Sequence, residues 1–386
     1  MDNYFAVTAP GLEPFTTREL TDLGLLTVPS TESTSAGGVA FKGDLPALYR
    51  ANLHLRTASR ILARLGTFFY ATTFEELQKR ASRLPWERCL APGQPVAMRV
   101  TCHQSRLYHS DAVARSLLAG LEERLGKASP LVKTDEETDG HPPQLVVARL
   151  VEDKCIISVD SSGELLHKRG YRLAVAKAPL RETLAAALLM ASGWNRSASL
   201  LDPFCGSGTI PIEAALMRLG LPPGLNRRFA FMDWPGYEPA AFSAQLSAAS
   251  DQQLKINNQQ SAVTIFASDR DAGAIKMAQA NAERAGVSDH IEFKCQAVSS
   301  ITPPAGPGWV VTNPPYGVRV SEGKDLRNLY AQFGNVLRKQ CPSWNVTLLC
   351  NDPVLLGQMH IELDTSLGFV NGGIGVRVAR GLVPAK

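Results

Sequence analysis

Two short segments, each an apolar run that stops abruptly at a polar residue, constrain what this chain can fold into. The first is Leu200-Leu-Asp-Pro-Phe-Cys-Gly-Ser-Gly-Thr-Ile210, in which Asp202 and Pro203 end a buried strand. Gly206 and Gly208 follow, and then a run with the character of a helix. A strand, a glycine turn and a helix N-terminus place free N–H groups around a ligand and let it approach the main chain. The segment therefore predicts a nucleotide-type cradle in an α/β fold.

The residues that this glycine segment lacks narrow the class of ligand. Pro211 stands where a dinucleotide fingerprint has its third glycine, and no lysine follows as it does in a phosphate-binding P-loop. A carboxylate at the strand end suits an adenosyl ligand, because Asp202 can accept hydrogen bonds from hydroxyls and an amine. An ordinary tight turn between strand and helix is the alternative interpretation of Gly-x-Gly alone.

The second segment is Val310-Val-Thr-Asn-Pro-Pro-Tyr-Gly317, in which Asn313 ends another buried strand. Pro314 and Pro315 fix φ and remove N–H donors, which holds the Asn313 amide and the Pro314 carbonyl outward. An exocyclic amine of a base is a poor methyl acceptor, because its lone pair is conjugated into the ring. Two carbonyls that accept its N–H bonds would concentrate electron density on the nitrogen, while Tyr316 stacks on the ring. The alternative is a proline-rich turn with a surface tyrosine.

Together, Asp-Pro-Phe-Cys-Gly-Ser-Gly-Thr and Asn-Pro-Pro-Tyr-Gly resemble the class I S-adenosylmethionine-dependent amino-methyltransferases. Flanking segments at 177–189, 267–271 and 280–286 resemble the RNA guanine-N2 methyltransferases that carry a THUMP domain. The resemblance extends through the whole chain and is closest to the bacterial members that act on 23S rRNA. It implies S-adenosylmethionine as the cofactor, RNA as the partner and no requirement for a metal.

The resemblance also implies roles for individual residues. The catalytic segment would be Asn313, Pro314, Pro315 and Tyr316. The residues expected at the cofactor are Asp202, Pro203, Phe204, Cys205, Gly206, Ser207, Gly208, Thr209, Asp269, Asp271 and Val298. Asp269 ends the second strand, where a carboxylate can bind both ribose hydroxyls, whereas Asp271 is expected to cap the next helix, with an adenine contact as the alternative. Many relatives carry an aspartate where Ala297 stands, so adenine recognition would rest on backbone contacts here.

The 386 residues allow two or three domains, and the pattern changes at three places. Residues 1–65 form a small α+β unit that resembles the ferredoxin-like N-terminal module of the family. Residues 66–160 follow the order strand, helix, strand, strand and resemble a THUMP domain, an RNA-binding module. A basic linker over 161–178 leads to residues 179–386, where alternating strands and helices predict a Rossmann-like doubly wound sheet with an antiparallel edge.

Several local structures are predicted within these regions. Asp44 is expected to begin a helix that carries apolar residues at helical spacing as far as Leu65, with the intervening arginines projecting elsewhere. Trp86 is expected in the core. The linker stretch Leu166–Arg172 either contacts RNA or forms a β-hairpin that docks the two halves. The long insertion over 218–260 either contacts substrate or forms a helical cap.

Charge and cysteine usage add weaker constraints. A net charge of +4 is too small to identify a nucleic-acid-binding protein, but 11 Lys/Arg stand against 4 Asp/Glu between Arg50 and Arg115. Seven scattered cysteines without a Cys-x-x-Cys pair argue against a zinc site or a disulfide framework and fit reduced thiols. No apolar run could span a bilayer, so the expected location is the cytoplasm, away from membranes.

The favoured function is methylation of guanine N2 in 23S rRNA, and four alternatives remain open. The same residues would serve a tRNA guanine-N2 methyltransferase, an N6-adenine methyltransferase acting on RNA or DNA, or a protein glutamine-N5 methyltransferase. The fourth alternative is an RNA-binding assembly factor with a vestigial catalytic half. The alanine at position 297, where many relatives carry an aspartate, favours it, whereas the intact glycine segment argues against it. The oligomeric state does not follow from the sequence.

Overall fold

A computed structural model of the protein describes residues 2–26, 34–35, 37–133, 143–172, 180–257, 264–316, 326–371 and 374–385. Over these residues the chain forms two β-sheets, one of eight strands and one of seven, each flanked by helices. We call them the N-terminal sheet and the C-terminal sheet.

The N-terminal sheet has the strand order β2-β3-β1-β4-β8-β7-β6, and β5 pairs with β8. All pairs are antiparallel except β6 with β7. Its elements are β1 (Asp2–Thr8), α1 (Glu13–Asp22), β2 (Thr34–Ser35), β3 (Gly38–Gly43), α2 (Leu45–His54), β4 (Ala58–Arg64), β5 (Phe69–Tyr70), α3 (Phe74–Ala81), β6 (Val96–His103), α4 (Ser110–Leu125), β7 (Gln144–Val151) and β8 (Lys154–Asp160). The predicted order strand, helix, strand, strand is confirmed by β6, α4, β7 and β8, and Trp86 is fully buried as expected.

The long helix predicted from Asp44 to Leu65 is wrong in its second half. The helix ends at His54, and the following residues form β4, which pairs with β1 and β8. The change from helix to strand follows from the buried Glu19 beside the helix end. Its carboxylate accepts the N–H groups of Arg56 at 2.8 Å and Thr57 at 3.0 Å. Those donors are therefore taken by a tertiary contact that helical periodicity does not reveal.

The C-terminal sheet has the order β11-β10-β9-β12-β13-β15-β14. The first five strands are parallel, and β15 runs antiparallel to β13 and β14, which confirms the predicted doubly wound sheet with an antiparallel edge. Its elements are α5 (Glu182–Ala191), β9 (Ser199–Asp202), α6 (Thr209–Arg218), α7 (Pro239–Asn257), β10 (Ile265–Asp269), α8 (Ala272–Arg284), β11 (Ile291–Cys295), β12 (Gly308–Thr312), α9 (Arg327–Gln340), β13 (Asn345–Cys350), α10 (Pro353–Gly357), β14 (Asp364–Asn371) and β15 (Ile374–Leu382). The strand order reverses between β9 and β12, which is where open α/β sheets bind ligands at the carboxyl ends of their strands.

The insertion after α6 joins the core of the N-terminal half. Phe229, Phe231, Trp234 and Phe242 are buried in the same hydrophobic cluster as β1 and α2. The ring of Tyr49 on α2 lies 4.6 Å from that of Phe231. The insertion is therefore more than a helical cap on the C-terminal half, because it supplies aromatic packing to the other half of the molecule.

The linker docks the two halves, but the described residues 161–172 contain no β-hairpin. Arg169 and Tyr171 belong to the stretch for which RNA contact was one of the two predicted roles, and they are only 4% and 3% exposed. The Arg169 Nε lies 3.3 Å from a carboxylate oxygen of the fully buried Glu213 on α6, and its Nη2 donates to the carbonyl of Arg56 at 2.6 Å. These two linker side chains thus face the interior, while residues 173–178 of the linker lie outside the described residues.

Candidate active site at the carboxyl ends of β9, β10 and β12

The glycine turn after β9 leaves space for a ligand on one side and packs tightly on the other. Gly206 and Gly208 both have positive φ, +52° and +86°, which favours glycine at each position. A Cβ on Gly206 would meet nothing within 4 Å, whereas a Cβ on Gly208 would lie 3.0 Å from the Cβ of Ala278. Gly208 precedes α6 directly, so the turn and the helix N-terminus form the predicted cradle, with its open side at Gly206.

Asp269 joins the end of β10 to this turn. Its Oδ2 accepts the N–H of Gly206 at 3.0 Å, and its Oδ1 accepts the N–H of Asp271 at 3.0 Å. Asp271 in turn caps α8, since its Oδ1 accepts the N–H groups of Gly273 and Ala274 at 2.7 and 3.3 Å. The predicted cap is confirmed, and Asp269 stands at the strand end next to the open side of the cradle.

Asp202 connects the two sequence segments. The hydroxyl of Thr312, the last residue of β12, donates to Asp202 Oδ1 at 2.6 Å, and the N–H of Phe204 donates to the same oxygen at 3.2 Å. Burial raises the pKa of the Asp202 carboxyl to about 7, and the negative charge of Asp269 acts in the same direction. Asp202 is only 1% exposed, so its charge depends strongly on what binds beside it.

Asn313 carries an unsatisfied acceptor immediately after β12. Its Oδ1 is buried and has no hydrogen-bond partner among the described residues. Leaving such a group unpaired costs about 1–3 kcal/mol, so native structures retain few of them without a functional reason. An N–H donor of a bound molecule would remove that cost.

The three residues after Asn313 are held from behind. Pro314 is buried, and the carbonyl of Pro315 accepts the hydroxyl of Tyr330 at 3.3 Å. Tyr316 is half-buried and packs against both hydrophobic clusters of the C-terminal half. The chain after Tyr316, from 317 to 325, lies outside the described residues.

The remaining predicted cofactor residues surround the cradle in supporting positions. The Phe204 ring packs edge-on against Phe333 at 5.2 Å, and burial raises the pKa of the Cys205 thiol well above its usual range. The Ser207 carbonyl accepts the Asn281 side-chain amide at 3.0 Å, and the Thr209 hydroxyl accepts an Arg172 N–H at 2.5 Å. Pro203 is buried at the end of β9, and Val298 is buried in a short 3-10 turn after β11.

Sequence reasoning missed three supporting residues. Thr312 stands next to Asn313 in the buried strand, where a hydroxyl must find a partner, so this residue could have been found from the pattern. Arg172 and Asn281 gave no comparable signal, because their partners in the glycine turn are distant in sequence.

Metal-binding clusters and membrane-spanning helices are both absent from the described residues. No group of three or more His, Cys, Asp or Glu side chains that could hold a metal ion occurs among them. None of their helices is both long and apolar enough to cross a membrane.

The strand order with its antiparallel β15, the acidic ends of β9 and β10, and Asn-Pro-Pro-Tyr after β12 together define a class I methyltransferase. The chain belongs to the RMKL-like methyltransferase domain family, whose model matches residues 169–377. Ahead of it, residues 3–62 match the RlmL ferredoxin-like domain and residues 71–160 match the THUMP domain. The family resemblance and the fold class expected from the sequence are both confirmed.

Relatives match along the whole chain. An RNA methyltransferase candidate of Synechocystis sp. is 31% identical over 96% of this chain and 94% of its own length. The ribosomal RNA large subunit methyltransferase K/L of Methylococcus capsulatus is 33% identical over 97% of this chain. The match covers 50% of that relative, so the chain spans about half the length of the K/L proteins.

Two solved structures share the fold over the full chain. A methyltransferase candidate in complex with S-adenosylhomocysteine has a TM-score of 0.81 and 28% identity, covering 100% of this chain and 98% of that one. A protein of Listeria monocytogenes, named as a predicted N6-adenine-specific DNA methylase, has a TM-score of 0.83 and 32% identity, covering 99% and 96%.

S-adenosylmethionine is the cofactor of this methyltransferase class, and the residues present fit it. The cradle is open at Gly206, where no Cβ obstructs the approach of a ligand to the backbone. Two carboxylates, Asp202 and Asp269, stand at adjacent strand ends, where they can accept hydrogen bonds from an amine and from ribose hydroxyls.

Proposed function

We propose that the protein transfers a methyl group from S-adenosylmethionine to the exocyclic N2 of a guanine in 23S rRNA. The observation that carries the chemistry is the buried, unpaired Oδ1 of Asn313 at the carboxyl end of β12. Asn313 directly follows β12, which pairs with β9, and the carboxyl end of β9 leads into the cradle.

The chain's own residues would bind and orient the reactants. S-adenosylmethionine, when bound, supplies an electrophilic methyl group on its sulfonium. Asn313 Oδ1 and the Pro314 carbonyl would accept the two N–H bonds of the target amine, which concentrates electron density on its nitrogen. Tyr316 would stack on the base after it leaves its own stack in the RNA. Positioning would supply most of the rate acceleration. No strong general base is required, because the nitrogen becomes acidic once it is methylated and then loses its proton to water.

The proposed site and domain assignment follow the sequence predictions. Asn313, Pro314, Pro315 and Tyr316 form the catalytic segment. Cofactor contacts are proposed for Asp202, Pro203, Phe204, Cys205, Gly206, Ser207, Gly208, Thr209, Asp269, Asp271 and Val298. The proposed divisions are a ferredoxin-like module (1–65), a THUMP domain (66–160), a linker (161–178) and the methyltransferase domain (179–386).

Two observations support an RNA substrate. Residues 71–160 match the THUMP domain, the module that the sequence resemblance associates with RNA binding. The K/L relatives that match 97% of this chain are named as methyltransferases of large-subunit ribosomal RNA. Transfer RNA methylated at guanine N2 is the nearest alternative.

A second candidate is N6 methylation of adenine. One specific observation favours it, namely that the Listeria monocytogenes structure with 32% identity is named as a predicted N6-adenine-specific DNA methylase. An Asn-Pro-Pro-Tyr segment can hold either amine, so Asn313 does not decide between the two bases.

The test is mass spectrometry of nucleosides from 23S rRNA of a deletion strain of the source organism, beside the wild type. We expect N2-methylguanosine to be lost at one position and restored by the wild-type gene, but not by Asn313→Ala. Asn335→Ala, which removes an exposed amide on α9, is the matched control and should restore it. Loss of N6-methyladenosine instead would establish the second candidate, and loss from tRNA alone would exclude rRNA as the substrate.

A further inference from the structure

On β6 and β7, the N-terminal sheet packs one face into the hydrophobic core and exposes side chains on the other. The residues of β7 and β8 that belong to the hydrophobic core alternate along each strand and include Val146, Ala148 and Ile157. Their neighbours in the sequence point to the opposite face, because successive side chains of a strand alternate. On that face Arg149 is exposed, whereas Val147 is half-buried. We call it the open face.

The register of the strands places the side chains of the open face in rows. One row contains Arg99, Val147, Ser158 and Arg64, which pair in that order across β6, β7, β8 and β4. The next contains Thr101, Arg149 and Ile156. The third contains His103, Val151, Lys154 and Tyr70. Neighbouring rows lie about 6.6 Å apart, which is two residues along a strand.

These rows carry four cationic side chains and no acidic one. Arg64, Arg99, Arg149 and Lys154 form no ion pair with a carboxylate among the described residues. Burial and the charge of Arg149 lower the pKa of Arg64, so the like charges are close enough to repel one another. An anion between them would relieve that repulsion.

Aromatic rings stand at the corner of the open face beside Lys154. Tyr70 is 59% exposed and pairs with Lys154 across β5 and β8. Phe68 lies beneath the Lys154 ammonium, whose nitrogen is 3.8 Å from the ring centroid, and the Phe68 and Tyr70 rings are 5.9 Å apart. An exposed ring next to cations that have no carboxylate partner is the combination that binds a base and its phosphates.

We propose that the open face binds a single-stranded segment of the RNA substrate, with phosphates against Arg64, Arg99, Arg149 and Lys154 and a base stacked on Tyr70. This inference rests on the proposed function, because it assumes an RNA substrate. A single strand fits better than a duplex, since only an unstacked base can lie on the exposed ring of Tyr70.

The test measures binding of a fluorescently labelled single-stranded RNA of mixed sequence at several salt concentrations. Arg99→Ala/Arg149→Ala should lower the slope of log affinity against log salt by about 1.4, since each lost phosphate contact on a single strand lowers it by about 0.7. Arg99→Lys/Arg149→Lys keeps both charges and should retain the slope. The matched control is Arg80→Ala/Arg115→Ala, which removes two exposed charges from α3 and α4 on the other side of the sheet and should change nothing.

Tyr70→Ala should weaken binding about fivefold or more without altering the salt slope, because stacking involves no charge. The proposed surface would be refuted if Arg99→Ala/Arg149→Ala kept the wild-type salt slope, or if the control variant lowered the slope equally. If duplex RNA competed for binding as well as single-stranded RNA does, the preference for a single strand would be refuted. Methyl transfer to RNA is measured in parallel. If the wild-type protein methylates RNA but Arg99→Ala/Arg149→Ala binds RNA as the wild type does, the open face is overturned and the proposed function stands. If RNA binding depends on the two arginines but no methyl group is transferred, the open face is supported and the proposed function is overturned.

Discussion

Glu213→Gln removes a buried carboxylate charge from α6 while it keeps the shape of the side chain. Glu213 is fully buried, and two guanidinium groups face it from other parts of the chain. The Nε of Arg169 in the linker lies 3.3 Å from one carboxylate oxygen, and Nη1 of Arg56, between α2 and β4, lies 3.8 Å from the other. The variant therefore leaves two cations in the interior without their shared counter-ion.

The expected cost is about 3 kcal/mol of the free energy of unfolding, the lower end of the 3–5 kcal/mol that follows when a buried pair loses one partner. The lower end applies because only Arg169 is close to the carboxylate. Arg169 also keeps hydrogen bonds to the carbonyls of Leu166 and Arg56, both at 2.6 Å. For a domain of about 150–250 residues this corresponds to a fall of about 6–12 °C in the midpoint of thermal unfolding.

Thermal unfolding followed by circular dichroism measures this fall. Glu283→Gln makes the same chemical change at an exposed position on α8 and should alter stability by less than about 0.5 kcal/mol. A midpoint for Glu213→Gln within 2 °C of the wild type would refute the reasoning, because the buried charges would then not depend on Glu213.

Two further predictions concern the cradle. Since burial raises the pKa of Asp202 to about 7 and a bound amine or hydroxyl needs the carboxylate form, affinity for S-adenosylmethionine should rise between pH 6 and pH 8 with release of a proton. Calorimetry in buffers of different ionisation enthalpy detects that proton, and an equal pH dependence in Asp202→Asn would contradict the assignment. Gly208→Ala should destabilise the fold by about 1–3 kcal/mol in a urea titration, because φ is +86° and the new Cβ would lie 3.0 Å from Ala278. At Gly206 a new Cβ would meet no atom within 4 Å. Gly206→Ala should therefore lower the stability less than Gly208→Ala does, but lower the affinity for S-adenosylmethionine more.

The parts of the fold that were predictable from the sequence are those that local chemistry decides. Glycines and prolines mark the ends of β9 and β12, and the ligand cradle follows from them. The helix predicted as far as Leu65 failed because Glu19, far away in sequence, accepts the backbone donors of Arg56 and Thr57. Periodicity contains no information about such a partner.

The role of each arginine could not be assigned from the sequence for the same reason. In the sequence, the region between Arg50 and Arg115 shows only an excess of basic over acidic residues. In the structure, Arg60 is paired with the buried Asp160, whereas Arg99 lies on the open face without a carboxylate partner. Only the pairing of strands distinguishes an arginine that supports the fold from one that is available to a ligand.

The aromatic residues of the insertion limit how freely the halves of this protein could be exchanged. Phe231 and Trp234 complete a core to which β1, α2 and other elements of the N-terminal half contribute, although they belong to the chain between α6 and α7. A chimera that grafts the first 160 residues onto a different methyltransferase would leave the Tyr49 ring without its neighbour at 4.6 Å and expose part of that core to water. The insertion must be transferred together with the N-terminal half, so the unit that can be recombined is discontinuous in the chain.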